Sequence, residues 1–164
     1  NDIAVSSPAH IVIDTKTRRQ TERAAMQITT PTERLTDAAV ALLVQTAVET
    51  ATGMGQPQCI VIVDASAVEL ASFRMVGARV LSMRSARAKA QTAASTGRPS
   101  SALPEAVRTT IPLATEGTMT GLPGGLPIIR NGVLLGGIGI GSGTGEQDVA
   151  VAAAALAAIG ASAQ

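Results

Sequence analysis

Aromatic residues are almost missing from this chain: Phe73 stands alone, with no Trp and no Tyr, so aromatics make up 1% of 164 residues. A core built without them must be filled by Ala, Val, Ile, Leu and Met, whose smaller side chains let helices and sheet approach closely. The lack of stacking platforms also argues against nucleic-acid binding. The charge balance argues the same way, because 13 basic residues against 12 acidic ones give a net charge of only +1 and no basic footprint. Cys59 is the single cysteine, which excludes an intrachain disulfide and a cysteine metal cluster. It lies in the run Cys59-Ile-Val-Ile-Val63 and reads as an inert core thiol. His10 is the single histidine, so no Ser/His/Asp set or Cys/His pair can be assembled. No stretch of 18 or more uninterrupted apolar residues suggests a membrane span.

Apolar residues are plentiful instead, at 46% against 15% charged. That ratio leaves apolar surface on a folded monomer of this size, and a contiguous apolar patch usually marks an interface. A homo-oligomer is therefore expected. The chain begins at Asn1, and a cytoplasmic location is the first reading, with secretion after removal of a leader as the alternative.

Residues 1–30 read as an N-terminal extension, with a short strand at Ile11-Val-Ile13 and weak helical character from Lys16 to Gln27. His10 is a surface or turn residue, or a metal ligand. From residue 31 to 164 the signals describe one domain. Thr30-Pro31-Thr32-Glu33 reads as a capping box with proline at the first helical position. Leu35, Ala38, Ala39, Leu42, Leu43 and Thr46 then recur at helical spacing until Gly53 and Gly55. Cys59–Val63 and Val68–Met75 read as two strands joined by Ala65-Ser-Ala67. Arg79–Ser95 is helical by propensity and stops at Gly97 and Pro99.

Residues 100–125 show no sustained period. A short helix near Pro104–Arg108 is expected, followed by a loop long enough to carry function. Leu126–Arg130 and Val133–Ile140, joined by Asn131-Gly132, are the clearest hairpin, because Asn-Gly suits a type I′ turn. Thr144 and Gln147 form a further capping box. The almost wholly apolar helix Val149–Ile159 then packs on the sheet and plausibly on another subunit. Paired hairpins with helices between them predict an α+β fold, an antiparallel sheet covered by helices.

Three segments resemble the GlcG/HbpS (haem-degrading) family, which includes the C-terminal domain of PduO-type proteins. They are Val61-Ile-Val-Asp64 with Phe73-Arg74-Met75 and Gly77-Ala78; Ala86-Arg-Ala-Lys89-Ala90-Gln-Thr92-Ala93 with Gly97-Arg-Pro-Ser100; and Gly124-Gly-Leu-Pro127, Gly136-Gly-Ile-Gly139 and Ser142-Gly-Thr-Gly-Glu146-Gln-Asp148. With the first helix they span about residues 31–160. The resemblance implies a profilin-like fold, frequent oligomers and, in some members, haem binding or degradation. This chain departs from the family at Val76, where an acid is usual, and at Arg84 and Arg87, where acidic or apolar residues are usual.

Several residues are candidates for chemistry. Lys89, in a helix of small residues, is either a solvated lysine or a pocket cation and proton donor. Arg84 and Arg87, three apart, are surface charges or, with Lys89, a cationic cleft for haem propionates or a small organic acid. Glu146 and Asp148 are acids in a helix's first turn, or general base and metal ligands. Asp64 caps a turn, and Arg74 pairs with it or joins the ligand site. Thr92 is a hydroxyl within reach of a ligand, and the resemblance adds Gly124 and Gly125. The glycines from Gly136 to Gly145 lack both G-x-G-x-x-G spacing and a P-loop, which disfavours nucleotides. The cofactor reading is haem or none. The alternatives are a cofactor-free lyase- or isomerase-type enzyme on a small organic acid, using Lys89, Glu146 and Asp148, and a non-catalytic interaction or sensory protein.

Overall fold

The computed structural model describes Lys16, which is helical, and residues 28–163. The readings made for His10, Ile11–Ile13 and Lys16–Gln27 otherwise fall outside the described residues. Residues 33–164 group as one compact unit. Its elements run α1 (Asp37–Gly53), β1 (Cys59–Asp64), β2 (Glu69–Arg74), α2 (Ser82–Thr96), α3 (Thr110–Ala114), β3 (Gly125–Arg130), β4 (Val133–Gly141) and α4 (Gly145–Ala158), with 3-10 turns at Ser100–Ala102 and Glu105–Val107. The four strands form one antiparallel sheet in the order β2-β1-β4-β3.

The period-2 rule assigns the two faces of β1 and β4. Ile60, Ile62, Ile138 and Ile140 point to the face covered by α1 and α4, where Leu43, Ala47, Ala51, Val151, Ala152, Ala155 and Leu156 complete a buried core. Cys59, Val61 and Val63 point the other way, against Ala86, Ala90 and Ala94 of α2. On that second face β4 contributes glycines. A Cβ on Gly139 would lie 2.0 Å from the Ala86 carbonyl oxygen, and one on Gly137 would lie 2.3 Å from that of Ala90. Helix α2 therefore rests directly on bare strand backbone. The alternation Gly137-Ile-Gly-Ile-Gly141 thus encodes the packing: isoleucines fill one core and glycines admit a helix on the other.

Three boundaries differ from the sequence reading. Residues 28–36 have no regular structure, so Thr30-Pro31-Thr32-Glu33 caps nothing. The cap is Thr36, whose hydroxyl accepts from the Ala39 amide at 3.2 Å, with Asp37 in the first turn. Leu35 and Val40 flank this cap at N′ and N4 and both pack against the core, which sets the start of the helix there. In the irregular stretch α3 is an additional helical turn. Its Pro112 is tolerated because it sits within the first turn, where its missing N–H has no helical acceptor. Helix α2 begins at Ser82 where Arg79 was expected, and the remaining elements lie close to their expected places. Asn131 and Gly132 have φ of 52° and 78°, Gly97 ends α2 at φ 63°, and both halves of the Thr144–Gln147 capping box form.

No helix among the described residues is long and apolar enough to cross a membrane. The outward positions of α4 are alanines: Ala150, Ala153, Ala157 and Ala158 are exposed. Larger apolar side chains reach solvent at the β2–α2 junction, with Val76 98% exposed, Leu81 73% and Val80 67%.

Candidate functional site

The candidate residues separate into an interior cluster and an outer groove. In the interior, Lys89 donates from Nζ to the Ile140 carbonyl at 2.8 Å and to Asp148 Oδ2 at 2.7 Å. Asp148 Oδ1 accepts from the Gly143 amide at 3.0 Å. Both side chains are almost fully buried, at 6% and 3% exposure. Burial pushes the Asp148 carboxyl above its ordinary range, opposed by the bond from Lys89 and its charge. The pair ties three elements together: α2 through Lys89, the end of β4 through Ile140, and the start of α4 through Asp148.

Gly124 and Gly125 belong to this cluster by packing. A Cβ on Gly124 would lie 2.5 Å from Asp148 Cβ and 3.2 Å from Lys89 Nζ, and one on Gly125 would lie 2.3 Å from the Lys89 carbonyl. The side chain of Gln58, wholly buried, lies beside Gly143 and makes no hydrogen bond.

Two hydroxyls fasten the irregular stretch to this frame. Thr92 donates to the Ala88 carbonyl at 2.7 Å and accepts from the Thr120 amide at 2.8 Å. Ser100 donates to the Leu122 carbonyl and accepts from the Gly125 amide at 3.0 Å. Thr92 is fully buried, with its oxygen committed at both ends, so it holds the loop.

The three cations of α2 do not converge. At 100° per residue, Lys89 lies about 160° around the helix from Arg87 and about 140° from Arg84. Lys89 accordingly points into the interior. Arg87 donates from Nε to Glu69 Oε2 at 2.7 Å across to β2, a half-exposed bridge whose hydrogen bond holds the Glu69 carboxyl below its usual range. Arg84 forms no ion pair among the described residues and is exposed. The joint cleft expected for Arg84, Arg87 and Lys89 is therefore replaced by three separate environments.

Arg74 is also placed differently from expectation. It lies opposite Cys59 in the β1–β2 register, at the far end of the strand from Asp64, and Nη1 donates to the Ala78 carbonyl at 3.3 Å. Asp64 caps its turn as expected, with Oδ1 accepting from the Ser66 and Val68 amides. Glu146 is fully exposed. Its own backbone amide and the Thr144 hydroxyl hold its carboxyl below the usual value, as suits a helix start. Cys59 is buried, and desolvation pushes its thiol above its ordinary value.

Among the described residues three openings flank this frame, one of them a cleft of about 300 Å³ lined by Thr96, Arg98, Ala102, Leu103 and Pro104. Of the other two, the larger, about 520 Å³, lies between α1 and β2 and is lined mostly by apolar side chains, including Leu35, Val40, Val44 and Leu70. The smaller, about 370 Å³, lies between α2 and the turn after α3. Arg84, Ser85 and Ala88 form one wall, and Pro112, Glu116, Gly117, Met119 and Thr120 form the other. The opening beside α1 carries no cation, whereas the groove beside α2 carries Arg84 and the third cleft Arg98. The second wall of the groove beside α2 comes from residues 112–120, where the sequence has neither period nor motif, so Glu116 and Met119 were not legible as site residues. Ser100 was visible only as the end of Gly97-Arg-Pro-Ser100.

The model of the family described as haem degrading protein HbpS-like matches residues 35–157. The chain belongs to that family. Solved structures agree with the assignment. PduOC, solved as a haem complex, is 31% identical, with 80% of this chain and 99% of PduOC covered at a TM-score of 0.76. HbpS is 31% identical, with 81% and 95% covered at 0.73. The Klebsiella pneumoniae protein ORFY is 27% identical, with 81% and 95% covered at 0.76. No curated protein sequence matches the chain. The family shares the α+β arrangement described above.

Proposed function

We propose that this HbpS-like protein binds haem or a related tetrapyrrole in the groove between α2 and residues 112–120, with residues 31–164 as the ligand-binding domain and 1–30 as an extension to it. One observation carries the reading: Arg84 presents a guanidinium without an ion-pair partner at a groove lined also by Ala88, Pro112 and Met119, with Ser85, Thr120 and the Glu116 carboxylate as its other polar groups. A guanidinium matches a propionate bidentately, and apolar walls with a few convergent polar groups are what small-ligand sites use. The donor set suits the group. The groove holds a thioether as an iron donor type and a cation for the acidic edge. Its 370 Å³ lies toward the lower end of the range of about 300–1,000 Å³ for ligand sites, so a ligand of this size would stand partly out of it. The chemistry a bound haem supplies is that of its iron, and the chain's part is to seat and orient it.

Titration with haemin is expected to shift the Soret band, and Arg84→Glu is expected to weaken binding by about 10- to 100-fold, the range of one charge-assisted bidentate pair lost. Unchanged affinity in Arg84→Glu would remove the groove from the account. Stabilisation by small carboxylic acids without any Soret shift would favour the organic-acid reading, in which the same guanidinium clamps a carboxylate.

Assembly into a homo-oligomer is the second part of the proposal, supported by Val76, Val80 and Leu81 standing exposed at the β2–α2 junction. Val76→Asp combined with Leu81→Glu is expected to lower the mass found by sedimentation equilibrium toward that of one chain. A mass the substitutions leave unchanged would rule that junction out as the interface.

A further inference from the structure

We infer that the outer edge of β2 pairs antiparallel with β2 of a second copy, joining two sheets into one, and that Phe73 of each copy fills the apolar groove of the other. The inference rests on the homo-oligomer reading above and names the seat of the partner; it does not depend on the tetrapyrrole. The two edges of the sheet differ. Along β3 the chain covers itself: the Ile129 amide donates to the Ser162 carbonyl at 3.0 Å, and the Ser162 amide returns the bond at 2.8 Å. Strand β2 stands at the other end of the order, with no strand on its outer side among the described residues. It carries neither Pro nor Lys, residues that commonly guard such an edge, and a bare edge is a template for another strand.

The hydrogen bonds of β2 fix which register a partner can take. The Met75 amide donates to the Gln58 carbonyl at 3.0 Å, so this pair is a bonded one. Alternation then turns the backbone of Phe73 and Ala71 toward β1 and that of Ser72 and Arg74 outward. Outward residues must meet outward residues across an antiparallel junction. A two-fold axis at Ser72 satisfies this, and it sets Phe73 of each copy opposite Ala71 of the other.

The side chains suit that register on both faces of the sheet. Ala71 and Leu70 line the groove of about 520 Å³ beside α1. Phe73, the one aromatic of the chain, lies opposite Ile60 on the same face and is 44% exposed. Set against the partner's Ala71, its ring enters the partner's groove as the anchor of the contact. On the other face, Glu69 reaches toward α2, where it meets Arg87, and Arg74 lies opposite Cys59, which packs on α2. The register brings Arg74 of each copy beside Glu69 of the other, so the strand is complementary to itself in charge. The exposed side chains of Val68 and Val76 extend the apolar contact at the two ends.

The test is covalent capture in the full chain. Opposed residues of a bonded antiparallel pair have Cα atoms about 5.5 Å apart, within disulfide reach. Cys59, the only native thiol, is buried, so a cross-link reports the introduced one. Under mild oxidation Ser72→Cys is expected to run as a disulfide-linked dimer, while Ser101→Cys, exposed in the turn after α2, stays a single chain. By sedimentation equilibrium Phe73→Arg is expected to raise the dimer dissociation constant about 30-fold or more, the loss of an anchor residue. Arg74→Glu should weaken association, and Glu69→Arg combined with Arg74→Glu should recover most of it, with circular dichroism unchanged throughout. Equal cross-linking at positions 72 and 101, or a mass indifferent to Phe73→Arg, overturns the β2 seat. Assembly then stands at the β2–α2 junction alone if the Val76→Asp, Leu81→Glu variant still lowers the mass. A wild type that sediments as one chain removes both readings and leaves the edge to another occupant.

Discussion

Lys89→Met is expected to destabilise the fold by about 3–5 kcal/mol, the usual penalty for leaving one member of a buried ion pair alone. In a domain of this size that is a fall in Tm of roughly 10–20 °C. The reason is the geometry: Asp148 keeps the Gly143 amide but loses its ion-pair partner, at 3% exposure. The pH dependence has a definite sign. Burial already raises the Asp148 carboxyl with Lys89 in place, and removing Lys89 takes away the opposing influence. A carboxyl whose folded value lies above its unfolded one, near 3.9, favours the folded state when protonated. Stability is then greatest below the unfolded value and declines as pH rises through the folded one. The Lys89→Met deficit should therefore shrink under mild acid, which thermal melts from pH 4 to 8 will read. Asp148→Asn should show no such recovery, because it removes the carboxyl whose protonation supplies it. The double replacement Lys89→Met with Asp148→Leu should regain most of the loss, since a packed apolar pair is often neutral relative to a buried ion pair.

Gly139→Ala is expected to be among the most damaging single-methyl changes in the sheet, lowering stability by about 3 kcal/mol. Its Cβ would lie 2.0 Å from the Ala86 carbonyl oxygen and 2.6 Å from the Ala90 amide nitrogen, both helix backbone that cannot rotate away. Helix α2 would have to lift off β4, and with it the Lys89 ammonium and the Thr92 latch. Chemical denaturation should show this as a lower midpoint. Gly53→Ala is the control. A Cβ there meets nothing within 4 Å at the end of α1, so stability should rise by about 0.5–1 kcal/mol.

Both cases show how much of the molecule is legible in the residues. Strand and helix periods report which face is apolar, and local rules report turns and caps. The two hairpins, the Thr144 cap and the antiparallel sheet follow from them. The α1 start does not, because Thr30-Pro31 and Thr36-Asp37 offer two competing caps and the core contact of Leu35 decides between them. The glycines of β4 fall within a strand that the hairpin signal locates, but no local rule says why glycine stands at those positions. Their meaning depends on α2, a helix well separated from them along the chain. Helical spacing places Arg84, Arg87 and Lys89 on one element, but it does not by itself say which angle faces the core. Lys89 was legible as a candidate for an unusual environment, whereas its partner Asp148, 59 residues away, is set by tertiary packing alone. Met119 and Glu116 carried no signal, because neither a period nor a motif runs through residues 112–120.

The division between an interior brace and an outer binding groove is tested most directly by comparing haemin titrations of two variants, Arg84→Glu and the Lys89→Met, Asp148→Leu pair, at a temperature where circular dichroism reports both as folded. A Soret titration weakened about 10- to 100-fold in Arg84→Glu, with near wild-type affinity in the double variant, is the predicted result. Retention in Arg84→Glu and loss in the double variant would place the ligand at the buried pair and contradict the division.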